Sequence, residues 1–365
     1  MAWQSCGGLR VKNPITANWL CRKNKSATPP AIVEVYFVLL QWDTCPFTSV
    51  RFQPTTMTAS KQSTLANFLV DEGLPESYRR DAHNWFLPLI DQLQYQLAEA
   101  DDGTPAATMV LGINGAQGTG KSTLARLIEV VLESRGKRVA NLSMDDFYLS
   151  QTQRQRLAAD IHPLLATRGV PGTHDTALAI QTIAALQAAT VSSVVHLPRF
   201  DKAIDDLLTV EEWPGFEGRA DLIIVEGWFL GAEPQLDSEL ETAVNTLEEN
   251  EDAEGLWRRY ANAQLAGSYQ QWFACIDHLI MLKAPAFEQV KVWRSLQEVK
   301  LAARSKRSGA SKGIMNGEQL ERFIAHFERL TRHCLRSLPA KANQVFFLDA
   351  DHQVVNHHVV NKTPA

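Results

Sequence analysis

From Thr64 onward apolar positions recur three and four residues apart, the spacing of one helical face, until Gly73-Leu74-Pro75 interrupts them. A second helical stretch follows, in which Trp85, Phe86, Leu89, Ile90 and Leu93 share a face and are expected in the core. Asp101-Asp102-Gly103-Thr104-Pro105 reads as a turn, and the apolar run over 108–113 behind it as a buried strand. Further short apolar runs at 138–143, 191–197, 222–226, 278–282 and 345–348 alternate with helical patterns. Strands of this kind, separated by helices, predict a mostly parallel sheet covered on both faces, an α/β fold of three layers.

Residues 1–56 follow no such pattern. They hold three of the five cysteines and six Lys or Arg against two Asp or Glu, with no sustained period of either kind. They are expected to be a disordered extension or a mis-assigned upstream start, ordinary protein patterning beginning at Met57. Residues 57–106 then form an N-terminal helical segment, and 353–365 a C-terminal tail.

Composition narrows the function classes. With 365 residues, 45% hydrophobic, and a net charge of -5, the chain can bury a large core and offers no global attraction to nucleic acid or an anionic membrane, so neither partner is expected. An odd number of cysteines without a C-x-x-C pair fits a reduced, cytoplasmic setting. The early apolar run over 31–42 is interrupted by Glu34 and is shorter than the roughly 20 residues of a membrane span. Two charge runs stand out. Eight acidic residues and no basic one lie between Asp237 and Glu254, the pattern of a solvated helix. Lys300, Arg304, Lys306, Arg307 and Lys312 follow one another with no acid among them.

The chemistry concentrates after the first strand. Gly115-Ala116-Gln117-Gly118-Thr119-Gly120-Lys121-Ser122 fits the phosphate-cradling pattern G-x-x-x-x-G-K-S, and Thr123 continues it into a helix. The glycines let backbone N–H groups turn toward a phosphate, Lys121 reaches the β- and γ-phosphates of ATP, and Ser122 ligates Mg²⁺. The second strand runs into Asp145-Asp146-Phe147-Tyr148, two carboxylates at the edge where doubly wound folds bind ligands. One of them can take the proton of an attacking hydroxyl, although an Asp after a strand also serves as a helix cap. The apolar run 222–225 ends on Glu226, placed as an acid that orients a metal ion.

These blocks resemble the phosphoribulokinase and uridine kinase group of P-loop kinases, and within it the D-glycerate 3-kinase family. The resemblance covers about 112–349. It rests on Asp145-Asp146-Phe147-Tyr148-Leu149, Arg168-Gly169-Val170-Pro171-Gly172-Thr173-His174-Asp175, Pro198-Arg199-Phe200-Asp201-Lys202, Glu226-Gly227-Trp228-Phe229-Leu230-Gly231, and Trp293-Arg294 with Gln297-Glu298. It implies an α/β/α P-loop NTPase fold over 107–352 with a basic lid, and transfer of phosphate from Mg-ATP to D-glycerate. By the same resemblance Asp145 stands at the position of the catalytic base, Tyr148 lines the acceptor pocket and Glu226 serves the metal. Asp146, Arg168, His174, Asp175, Arg199, Asp201 and Lys202 would surround a small hydroxy acid, whose carboxylate calls for cationic partners. The basic run falls where these kinases carry a lid, with Arg304 and Arg307 as the cations that would act on the transferred group. Asp201-Lys202 is followed by Ala203-Ile204-Asp205-Asp206-Leu207-Leu208 rather than the Gly-rich stretch with an Asp-Arg pair expected of the plant enzymes. Another acceptor (pantothenate, a nucleoside or a sugar acid) and an NTP-driven switch stay open, though no guanine-reading Asn/Thr-Lys-x-Asp motif occurs.

Overall fold

A computed structural model describes residues 59–98, 107–308 and 317–360, the side chains of 59–62 and 298–308 excepted. The expectation for 1–56 lies outside the described residues. The chain opens with α1 (Ala59–Asp71), α2 (Glu76–Asp81) and α3 (Leu87–Gln96). A π-helical turn over Ala82–Phe86 joins the last two, next to Pro88, which has no N–H to continue the regular ladder. Then come β1 (Met109–Gly115), α4 (Lys121–Glu133), β2 (Val139–Ser143), α5 (Gln151–Asp160) and α6 (Thr176–Ala188). Four short strands follow: β3 (Val194–His196), β4 (Phe200–Asp201), β5 (Asp206–Leu207) and β6 (Gly215–Glu217). After β7 (Leu222–Gly227) lie α7 (Thr246–Glu251), α8 (Leu256–Ala266), α9 (Ser268–Phe273) and β8 (His278–Lys283). The two long helices α10 (Phe287–Ser308) and α11 (Gly317–Ser337) precede β9 (Gln344–Leu348) and β10 (Val354–Val359).

Six strands form the main sheet in the order β10-β9-β8-β1-β7-β2, parallel except for β10. Successive side chains of a strand face opposite ways, so one apolar run feeds two cores. Leu111, Ile113, Leu222, Ile224, Ile280 and Leu282 pack beneath α1, α3, α4 and α10. Val110, Ile223, Val225 and Met281 pack on the other face against α6, α9 and α11. This is the three-layer α/β arrangement that the pattern predicts, and the α/β/α fold that the resemblance implies.

Three expectations change. The run 191–197 does not enter the main sheet: only β3 is strand, it pairs antiparallel with β6, and Val194 is 54% exposed, so the ribbon lies on the surface. The supposed tail 353–365 contains β10, an antiparallel edge strand whose mixed Val-Val-Asn-His-His-Val sequence carries no buried-strand signal. Its first residue is tied back to the N-terminal helices, the Val354 N–H donating to buried Asp81 at 3.1 Å. The acidic run 237–254 is in part interior. Glu248 pairs with Arg329 at 2.6 Å and Asp252 with Arg258 at 3.0 Å, all four side chains buried. Breaking either pair from one side strands a buried charge, a loss of about 3–5 kcal/mol. The basic run begins on α10, but 309–316, with Lys312, and the side chains of Lys300, Arg304, Lys306 and Arg307 lie outside the described residues. Among those described, no helix is long and apolar enough to cross a membrane.

Candidate active site

The strand register builds the site. Ile113, Glu226 and Ser143 stand abreast on β1, β7 and β2, and all three chains turn off the sheet just beyond them. Gly115 and Gly120 bracket the phosphate loop, and α4 begins directly at Lys121 with no side chain capping its N-terminal N–H groups, which are left for an anion. Gly118 has φ +83° and its missing Cβ would stand 2.8 Å from Trp293 Cβ, so both conformation and space demand glycine. The loop is braced from the far edge of the sheet. His352 Nε2 donates to the Gly118 carbonyl at 2.8 Å, its ring stacked on Trp293, while Trp293 Nε1 donates to Ala350 O at 2.9 Å.

Glu226 is held from three sides. Ser122 Oγ donates to its Oε1 at 2.8 Å, Ser143 Oγ to the same oxygen at 3.1 Å, and Lys121 Nζ lies 3.6 Å from Oε2. That second oxygen is buried and accepts no hydrogen bond. Gly227 follows because Met144 packs where a Cβ would be. A hydroxyl beside one buried, under-satisfied carboxylate oxygen suits Mg²⁺, which takes few protein ligands and keeps waters. Among the described residues, no group of three His, Cys, Asp or Glu side chains forms a cage that would hold a metal outright.

Asp145 faces this cluster from a 3₁₀ turn (Met144–Phe147) closed by a Ser143 capping box. Tyr148 OH donates to its Oδ1 at 2.7 Å and Lys202 Nζ to its Oδ2 at 2.5 Å. Burial pushes the Asp145 carboxyl up, but the charges of Lys202 and Lys121 and the two hydrogen bonds outweigh it and bring it down to about 2. Asp146 is turned away. It completes the capping box by accepting from Ser143 N–H at 3.1 Å and pairs with Arg199 at 3.2 Å, and burial leaves its carboxyl above the usual range despite those partners. The two carboxylates are thereby separated into one that faces the cleft and one that holds the turn.

A cleft of about 360 Å³ joins Gln117, Gly118, Lys121, Ser122 and Glu226 to Asp145, Tyr148, Arg168 and Lys202. Arg168 stands on the loop before α6, over the Phe200 ring and ion-paired to Asp205; buried Arg154 pairs with the same Asp205 at 2.9 Å. Trp228 Nε1 fixes that loop by donating to Gly169 O at 3.1 Å. Besides Asp146, four further expected ligands do not line the cleft. His174 lies behind Tyr148, ring centroids 4.6 Å apart, with Nδ1 2.7 Å from Tyr269 OH; burial draws its pKa down to about 3, so it is a neutral buttress. Asp175 caps α6, accepting from Leu178 N–H at 2.9 Å. Arg199 is occupied by Asp146 and the Pro198 carbonyl, and Asp201 accepts from Ala203 N–H in the β4–β5 turn. The cleft adds Arg294, Gln297, Phe323 and Phe327, to which the sequence reading assigned no role. Phe323 and Phe327 are one turn apart on α11, a spacing indistinguishable from a core stripe.

No family model matches the chain. It is 34% identical over 227 residues to a Schizosaccharomyces pombe protein described as an uncharacterized kinase, mug58, covering 60% of this chain and 78% of that one. It is 27% identical over 256 residues to the chloroplastic D-glycerate 3-kinase of Arabidopsis thaliana, covering 67% of this chain and 52% of the plant enzyme. The chain belongs to the D-glycerate 3-kinase family. The solved structure of a D-glycerate 3-kinase from Cryptococcus neoformans shares its fold, with a TM-score of 0.55 at 22% identity over 83% of this chain and all of that one. Membership in this family makes the protein an ATP-dependent small-molecule kinase.

Proposed function

We propose that the protein phosphorylates the 3-hydroxyl of D-glycerate with ATP, giving 3-phosphoglycerate and ADP. One observation carries this reading: a single cleft holds the phosphate-binding Lys121, Ser122 and Glu226 opposite a carboxylate, with Arg168 and Lys202 on the acceptor side. Lys121 and the N–H groups at the start of α4 hold the β- and γ-phosphates. Ser122 and Glu226 would hold Mg²⁺, which when bound neutralises the charge that builds on the transferred group. Asp145 accepts the proton of the acceptor hydroxyl as its oxygen bonds to the γ-phosphorus and the bond to the β,γ-bridging oxygen breaks, ADP leaving with that electron pair. Tyr148, rigid between His174 and Phe200, orients the Asp145 carboxylate. Arg168 and Lys202 recognise the acceptor's carboxylate. The partner is thus a small hydroxy acid, with no part for nucleic acid or membrane. We place the reaction in the reduced cytoplasm, a setting that suits the free thiols of Cys275 and Cys334.

The test is ADP release with Mg-ATP against D-glycerate, L-glycerate, pantothenate, uridine and sugar acids. D-glycerate is expected to give the highest kcat/KM. Preference for an uncharged nucleoside would overturn the glycerate assignment. Arg168→Ala is expected to raise the acceptor KM roughly tenfold to a hundredfold with the ATP KM little changed, since a charge-assisted hydrogen bond is worth about 1.5–3 kcal/mol. Arg199→Ala should leave the acceptor KM nearly unaltered, because that side chain serves Asp146.

A further inference from the structure

Asp145 has both carboxylate oxygens engaged, Oδ1 by Tyr148 and Oδ2 by Lys202. An acceptor hydroxyl must reach one of these oxygens to give up its proton, so one donor has to yield. Tyr148 cannot. It is 4% exposed and wedged between the rings of His174 and Phe200. Lys202 can, because its side chain is 59% exposed and its ammonium ends a flexible four-carbon stem. Its backbone meanwhile stays in place: the β4–β5 hairpin is anchored at Asp205 by Arg154, which is 1% exposed, and by Arg168. Arg168 also lines the cleft, so an acceptor's anionic group placed there lies within the reach of the same hairpin.

We infer that Lys202 is a gate on the base: its ammonium stays on Asp145 until an anionic group of the acceptor draws it away. This rests on the reading of Asp145 as the base. The gate gives the kinase a discrimination that binding alone does not. A neutral alcohol or a water molecule can enter the cleft, but neither offers the ammonium another partner, so neither frees the carboxylate. The preference for an acid is then expressed in kcat as well as in KM, and ATP is protected from water.

The experiment compares wild type, Lys202→Met and Lys202→Arg with Mg-ATP alone, with D-glycerate, and with glycerol, which has the hydroxyls and lacks the carboxylate. Lys202→Met is expected to raise ADP release without acceptor by about tenfold, because the base is permanently uncovered. Lys202→Arg, which keeps a positive charge beside the carboxylate, should raise that release far less than Lys202→Met does. The ratio of kcat for D-glycerate to kcat for glycerol should fall in Lys202→Met. An unchanged ATP KM will show that the variants fold. Acceptor-free release that does not rise, or an unchanged kcat ratio with only the D-glycerate KM increased, overturns the gate and leaves Lys202 an ordinary ligand. If no hydroxy acid stimulates the wild type, the glycerate reading fails instead, while the acceptor-free comparison still decides whether Lys202 restrains the base.

Discussion

Asp145→Asn is expected to lower kcat by about 10²- to 10⁴-fold with the ATP KM little changed, the loss associated with removing a positioned general base. The amide can still accept a hydrogen bond from Tyr148 but cannot receive the acceptor's proton. Asp146→Asn separates the two neighbours. Its carboxylate secures the Ser143 cap and Arg199 outside the cleft, so its loss should appear in thermal stability before kcat. If Asp146→Asn abolished turnover and Asp145→Asn did not, the base would be assigned to the wrong carboxylate. The pH dependence follows from charge. A base works when deprotonated, and Lys202 and Lys121 bring Asp145 down to about 2 against the effect of burial. The free-enzyme profile of kcat/KM should therefore carry no acid limb from this group above about pH 4.

Lys121→Ala should reduce kcat/KM by about 10²- to 10³-fold or more, because in the proposed reaction its ammonium is the positive charge that holds the β- and γ-phosphates. It pairs with Glu226 at 3.6 Å and contributes nothing to either apolar core, so the fold should survive. Circular dichroism and the melting temperature check that point, and ADP release measures the loss. A folded Lys121→Ala protein with wild-type turnover would overturn the assignment of this cleft to phosphoryl transfer.

The phosphate half of the site was legible in the sequence because its chemistry is contiguous. Eight residues from Gly115 to Ser122 carry the turn, the dipole, the ammonium and the hydroxyl, and the apolar strand before them fixes their place. Glu226 was legible for a similar reason, a charge ending an apolar run. The acceptor half is assembled from separate loops, and Arg168 and Lys202 emerged through family resemblance rather than local pattern. The same resemblance gathered Asp175 and Arg199 into the pocket, although an Asp just before Thr176 and a long helix is also a cap signal, and that role prevailed. Phe323 and Phe327 could not be separated from core aromatics without knowing where α11 docks. The β10 edge strand was hidden by exposure on one side, which leaves its polar residues free to vary.

The sheet order also sets when the site can exist. β1 ends in the phosphate loop, yet its neighbours on either side are β7 and β8, both of which leave the ribosome long after it. Until β8 pairs, the strand that aims the loop is itself an open edge, and non-local pairings of this sort are slow to form. The brace from His352 comes later still. A nascent chain halted after α9 is expected to contain every residue of the phosphate motif and to be unable to grip a nucleotide with it.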